Sequence, residues 1–330
     1  MLKTGIIGAG GIAWKHCEAL HKLGVEIAGI YDINSDNARR LGEAFGAPVV
    51  LDAKELTERA DMVHIFTPPS KRLEYVEYAL ACRKHIFMEK PAAIALEDAK
   101  KMEEAAAAVP VCFMVGFTQR FRRGYKRLWE WMEQGKLGEV VQVYCFRIGP
   151  GPGSDGRLNE SWRTAAGYVC GMTIESLSHD IDFLQSFAGK ATEAKGFVKG
   201  TVAALPQFDN NVSAALKFES GAIGAIMASW SSHVAFNVKG IIGTKGSAML
   251  MGEDIWDSTR LRAKFDDGTL VDEVLEDIFQ EGEGYLEENR HFLTCIKEGN
   301  SPLCSISTGR EVLEVSHKIL ASSTGSAEKL

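Results

Sequence analysis

The sequence predicts two domains: an α/β domain with a doubly wound parallel sheet over residues 1–118, and an α+β domain with an antiparallel sheet over residues 119–330. Three observations predict it. The first 118 residues alternate strand-like and helix-like patterns. A glycine-rich turn joins the first apolar run to the first helical pattern. From about residue 139 the pattern changes to consecutive hairpins, the signature of an antiparallel sheet.

In the first part, apolar runs near 3–8, 25–31, 48–51, 61–67, 84–88 and 111–116 contain few alternating polar positions, as strands buried on both faces should. The first helix is expected over Gly11–Leu23, with Gly24 as its left-handed cap. Another is expected after Asp52, with Glu55 three residues on as a capping box. Right-handed crossovers then give the doubly wound arrangement. In the second part, Val140–Phe146 opens a series of strands. Asn211–Phe218 and Ala222–Trp230 flank the loop Glu219-Ser220-Gly221. Asn237–Ile242 pairs with Ser247–Met251, and Arg260–Phe265 with Thr269–Asp272 across an Asp267-Gly268 turn. Helical patterns return at Tyr285–Glu298 and Gly309–Ser322, and 323–330 reads as a frayed tail.

Composition excludes several classes. An acidic excess of 44 over 37 gives a net charge of −7, which argues against nucleic acid as the main partner. No apolar run reaches bilayer length, and a strand starting at residue 3 leaves no room for a signal peptide. The seven scattered cysteines form no C-x-x-C pair and fit a reduced, cytoplasmic protein without a cysteine-built metal site.

The glycine turn carries the first chemical signal. Gly8, Gly10 and Ala13 match G-x-G-x-x-G/A, with Gly11 and Ile12 between them, after a strand and at the head of a helix. Residues without bulk let the backbone approach a pyrophosphate, and the helix start offers free N–H groups to it. Asp32 ends the next strand, where a carboxylate binds the adenosine ribose diol. Strand, helix and acid together predict a Rossmann dinucleotide site. The carboxylate repels a 2′-phosphate, so NAD is favoured over NADP, although Arg39 and Arg40 follow in the next helix.

Two further constellations stand out. Glu89-Lys90-Pro91 follows the run 84–88, which places Lys90 at the carboxyl edge of the sheet, where ligands bind. Glu175 and His179 are four apart in a helical pattern, with Asp182 one turn on, so a carboxylate can sit beside an imidazole and orient it. No second histidine stands at ligand spacing there, and no metal centre is expected.

Several ordered motifs together resemble the Gfo/Idh/MocA oxidoreductases, the family of glucose–fructose oxidoreductase and inositol dehydrogenase. They are Gly8–Ala13, Thr67-Pro68-Pro69, Lys84–Pro91, Gly116–Phe121 and His179–Asp182, spread over nearly the whole chain. The resemblance implies a Rossmann domain followed by an α+β domain with a large, mostly antiparallel open sheet. It implies hydride transfer between a nicotinamide and a carbinol carbon of a sugar, cyclitol or related polyol. Lys90, His179 and Glu175 would be catalytic and, with Arg120, would bind the substrate. Thr67, Pro68, Glu89, Lys90, Trp162 and Arg163 would join the glycine turn and Asp32 in binding the cofactor. Lys90 and His179 could exchange the roles of base and alkoxide stabiliser. The chain departs from the family pattern at Glu175, where Asp is common, at Arg72, where His often stands, and at Arg83, where glycine is usual.

Three other readings stay open: an NAD-dependent, redox-neutral glycoside hydrolase of the same fold, a non-catalytic NAD- or ligand-sensing protein, and a purely structural protein. Partners are expected to be copies of the chain itself, as a dimer or tetramer through the second sheet. Ile226, Trp230 and Ile241 are expected on that sheet's uncovered face.

Overall fold

The computed structural model describes residues 2–275 and 282–324. The tail expected at 323–330 lies outside them beyond Thr324. The chain divides into two compact units, Met1–Phe121 with Gly282–Arg310, and Arg122–Glu281 with Glu311–Leu330. The sequence boundary at 118 gave everything after it to the second domain. In the structure, Gly282–Arg310 returns to the first unit, because Cys304 accepts the backbone N–H of Val115 at 2.8 Å and Ser305 bridges Met114.

The first unit is built on five parallel strands: β1 (Lys3–Ile7), β2 (Glu26–Tyr31), β3 (Met62–Ile65), β4 (His85–Glu89) and β5 (Phe113–Gly116), in the order β2-β1-β3-β4-β5. The order reverses between β1 and β3, which makes the carboxyl ends of those strands the crevice where ligands bind. The expected strand at 48–51 shrinks to a single bridge between Ile30 and Val49. Gly29 lets that segment come close, since a Cβ there would lie 2.6 Å from the Val50 side chain. The first helix runs Gly11–Lys22, and Gly24 follows with φ +70°. Asp52 caps Ala53–Arg59 by accepting the Lys54 N–H at 2.7 Å.

The second unit carries eight strands: β6 (Val140–Pro150), β7 (Ala191–Lys199), β8 (Asn211–Phe218), β9 (Ile223–Ser229), β10 (Ser231–Gly243), β11 (Gly246–Gly252), β12 (Arg260–Phe265) and β13 (Leu270–Val274). Their order is β13-β12-β11-β10-β6-β9-β8-β7. Every pair is antiparallel except β6 with β9, which run parallel at the centre. The three expected hairpins are all present; β7 carries no hairpin signal of its own and went unread. The helix Ser178–Ala188 packs on β6 and β9.

That helix settles which sheet face is covered. Ile226, Trp230 and Ile241, expected on the uncovered face, are buried within the chain. Strand alternation puts their neighbours outside instead: Met227 pairs with Phe146, Phe146 with Val238, and Val238 with Met251. The outer strands show Ser213, Lys217, Arg262 and Lys264 on exposed positions, together with the exposed apolar Phe197 on β7 and Leu270 and Val274 on β13.

Arg83, exposed in the turn before β4, has φ +54°. This left-handed conformation costs a side-chain-bearing residue about 1–2 kcal/mol that glycine avoids. Arg83→Gly is therefore expected to raise the thermal midpoint despite glycine's greater unfolded-state entropy, and a lower midpoint would show that entropy dominates.

Candidate active site

In the first unit, the predicted residues gather at the carboxyl ends of β1 to β4. Gly8 follows β1 with φ +99° and donates its N–H to Tyr31 at 2.8 Å. A Cβ on Gly8 would sit 2.8 Å from the Phe66 carbonyl carbon and 2.9 Å from the Thr67 nitrogen, so only glycine allows the two turns to touch. Gly10 caps the helix Gly11–Lys22 with no side-chain hydrogen bond, and a Cβ on Gly10 or Gly11 would meet nothing within 4 Å. Ile12 is half-buried and Ala13 fully buried. The turn is thus closed underneath and open above.

Asp32 follows β2. Its carboxylate accepts the Ala9 N–H at 2.6 Å on one oxygen and the Asn34 N–H at 2.7 Å on the other. Each oxygen keeps a lone pair for a ribose hydroxyl. Thr67 and Pro68 lie half-buried after β3, and the Thr67 hydroxyl is a buried polar atom with no hydrogen-bond partner among the described residues. An open glycine cradle, a fixed carboxylate and an orphaned hydroxyl fit a dinucleotide. Arg39 pairs with Asp36 at 3.2 Å and Arg40 donates to Asn37, so both arginines are engaged along their own helix.

Glu89 ends β4 and is buried; Lys90 follows it half-buried, through a cis Lys90–Pro91 peptide. The Glu89 carboxylate accepts the Lys90 backbone N–H at 3.0 Å. Around this turn lies a residue the sequence marked only as a departure. Arg72 is buried and donates from Nε to the Thr67 carbonyl at 2.9 Å and from Nη1 to the carbonyls of Glu89 and Pro91. One planar guanidinium thereby joins the turn after β3 to the turn after β4. Arg120, in the turn Thr118–Phe121, donates to the Leu303 carbonyl at 3.0 Å.

A buried polar cluster lies below. His16, Glu89 and Glu288 each offer a ligand atom within 4.8 Å of the others. Sequence reading missed His16 and Glu288, because 272 positions separate them and neither belongs to a motif.

The second unit holds the remaining residues. Trp162 and Arg163 form a short turn capped by Ser161, with the Arg163 guanidinium 4.4 Å from the Trp162 ring. Arg163 grips Glu175 with two hydrogen bonds, of 3.0 and 2.9 Å. Burial works against the Arg163 charge, and the Glu175 bonds more than offset it, holding its pKa above the ordinary value. Glu175 ends the short helix Met172–Glu175, and His179 is the second residue of Ser178–Ala188. The expected single helical face is therefore broken at Ser176 and Leu177, and the carboxylate is tied to an arginine twelve residues upstream. His179 and Asp182 are both buried.

Asp180, unassigned by the sequence, lies between two buried cations. Arg147 approaches it at 3.0 Å and Lys239 at 3.3 Å. Burial lowers the Lys239 pKa, and the Asp180 charge opposes that shift. The alternation of β6 hid Arg147, since it occupies an inward position in an apolar strand.

Replacing Arg72 by Ala would leave three carbonyls without their donor. Arg72→Ala is expected to cost about 2–4 kcal/mol in urea unfolding, and a loss within about 0.5 kcal/mol would show that water replaces the guanidinium.

Comparison with known proteins agrees with this geometry. Residues 2–117 match the oxidoreductase family with an NAD-binding Rossmann fold, and residues 125–249 match the GFO/IDH/MocA C-terminal domain. The chain is 26% identical over 323 residues to myo-inositol 2-dehydrogenase of Thermotoga maritima, covering 94% of this chain and 93% of that protein. It is 28% identical over 250 residues to scyllo-inositol 2-dehydrogenase (NAD(+)) of Bacillus subtilis, covering 74% and 69%. In fold it is similar to levoglucosan dehydrogenase solved with NADH, with a TM-score of 0.89, 21% identity, and 98% and 97% of the two chains covered. Two successive domains of one family matched in order on one chain, the first around a glycine cradle open to a dinucleotide, make this protein a member of the Gfo/Idh/MocA family of NAD-binding oxidoreductases.

Proposed function

We propose that this enzyme reversibly oxidises a secondary alcohol of a sugar, cyclitol or related polyol to a ketone with NAD. The observation that carries the reading is the anchored turn at Lys90. Its N–H is held by Glu89 and its flanking carbonyls by Arg72, at the same sheet edge as the glycine cradle. When bound, NAD supplies the hydride acceptor. The Lys90 ammonium bonds the substrate oxygen and stabilises the alkoxide charge that develops on it. His179 takes the hydroxyl proton, and Glu175, fixed by Arg163, orients the imidazole. Arg120 is assigned to substrate binding, and Trp162 and Arg163 to cofactor binding. The inositol dehydrogenases among the relatives support a polyol as substrate.

The Rossmann unit is the cofactor domain in this reading, and the unit with the eight-stranded sheet supplies substrate residues and the assembly surface. Tyr144, Phe146, Met227, Phe236, Val238 and Met251 share the uncovered sheet face, and a second copy of the chain covers them. All seven cysteines are free, six of them buried, which suits a reducing cytoplasm. No helix among the described residues is long and apolar enough to cross a membrane.

A panel of polyols and sugars with NAD and NADP, read by absorbance of the reduced nicotinamide, tests the activity. Net NADH is the expected result. Sugar release from a glycoside without net NADH would replace the proposal with redox-neutral hydrolysis. Lys90→Ala is expected to lower kcat by about 10²–10⁴-fold, with NAD affinity within about threefold. His179→Ala is expected to lower kcat by about 10²–10⁴-fold, the usual worth of a positioned proton acceptor. Unchanged kcat in either variant would remove that residue from the reaction. Phe146→Asp is expected to yield monomers by light scattering, and a monomeric parent protein would refute the assembly.

A further inference from the structure

The buried polar groups of the first unit form one directed chain. Asn289 fixes its direction. Its Nδ2 donates to the Tyr285 carbonyl at 2.8 Å, so the amide cannot be reversed without setting two acceptors against each other. The same Nδ2 faces His16 Nδ1 at 2.9 Å, and Oδ1 faces His64 Nε2 at 3.0 Å. His64 therefore carries its proton on Nε2 and accepts from the Thr4 hydroxyl on Nδ1, at 2.7 Å. Burial first, and then His16, push the His64 pKa down to about 3, which keeps the ring neutral. His16 accepts on Nδ1, so its proton is on Nε2, and it donates to Glu89 at 3.1 Å. The other Glu89 oxygen receives the Lys90 N–H. Every donor from Thr4 to Lys90 is thus assigned.

Glu288 stands outside this order. It is fully buried, and its Oε1 lies 3.8 Å from His16 Nε2, whose one proton already serves Glu89. Among the described residues, His16 is the only basic side chain within ion-pair distance of Glu288. A second carboxylate anion here would face Glu89 with no proton between them. Burial first, and the Glu89 charge second, hold the Glu288 pKa well above the usual carboxylate range, while the Thr118 hydroxyl works the other way.

His16, Glu89 and Glu288 are close enough to share a metal ion. The second layer is wrong for one. A histidine that ligates through Nε2 ordinarily donates its Nδ1–H to an acceptor, whereas here Nδ1 meets the Asn289 N–H, whose orientation Tyr285 fixes.

We propose that Glu288 is carried as a neutral carboxylic acid and that His16, directed by Asn289 and His64, holds the Glu89 carboxylate as the anchor of the Lys90 turn. The cluster holds a proton rather than a metal, and His16, Asn289 and Glu288 are positioning residues for Lys90. The role of Lys90 rests on the proposed function; the buried acid does not.

Infrared spectra of the full chain at neutral pH test the acid directly. The expected difference between parent and Glu288→Gln is loss of one carboxylic-acid carbonyl band. Loss of carboxylate bands instead would overturn the proposal. If that variant does not fold, carboxyl-labelled glutamate in the parent protein decides the same question by ¹³C NMR, with one resonance in the protonated range at neutral pH expected and none overturning it. One equivalent of divalent metal in the purified parent protein, lost in His16→Leu, would also overturn it. The positioning role is read separately. His16→Leu is expected to lower kcat by about tenfold or more, with KM for the alcohol within about threefold, and His16→Gln, which restores an N–H, to recover most of the loss. A lower melting temperature with unchanged kcat would reduce His16 to a structural residue. If no alcohol is oxidised by the parent protein, the proposed function fails while the spectroscopic result still stands or falls alone.

Discussion

The architecture of the first unit depends on a backbone contact that only one residue type permits. Gly8 brings the end of β1 against the turn after β3, with no room for a Cβ between them. From that contact the rest follows. Asp32 reaches back to the Ala9 N–H, Thr67 is held where its carbonyl meets Arg72, and Arg72 reaches on to the turn around Lys90. Four strand ends are thereby fixed relative to one another by hydrogen bonds to main-chain atoms. Main-chain atoms are stiffer anchors than side chains, and a site built on them loses little entropy when a ligand arrives.

Both units place charge in their interiors, and each resolves the cost differently. In the first, His64 and Glu288 are driven toward their neutral forms, so the chain of hydrogen bonds encloses little net charge. In the second, Asp180 keeps two cations, Arg147 and Lys239, and the Arg147 guanidinium also lies 5.6 Å from the Trp256 ring. An isolated buried charge would cost several kcal/mol; a shared one costs much less.

The parts legible in the sequence were those whose physics is local. The glycine turn, the acid after β2, the lysine after β4 and the three hairpins each announce themselves within a few residues, because backbone conformation and strand alternation are short-range properties. The apolar run at 48–51 predicts a strand, whereas the structure keeps a single bridge there, between Ile30 and Val49. The uncovered sheet face was misassigned by one residue of alternation, since sequence gives the period of a strand and not which side a helix will cover. His16, Asn289 and Glu288 were unreadable for another reason. Their partners lie up to 273 residues away, and only the folded sheet brings them together. The pairing of Glu175 with Arg163 likewise depends on a turn that breaks the helical pattern between Glu175 and His179.

The parallel pairing of β6 with β9 makes β6 the seam of the second sheet, where two antiparallel ribbons are sewn together. A seam has no hairpin to set its alignment, so alignment must come from side chains. Sliding β6 by one position would expel Arg147 to the open face, strand Asp180 beside Lys239 alone and drive Phe146 into the space of a guanidinium. The interior ion cluster therefore acts as a dowel: it tells a strand with no tight turn on either side where to stop.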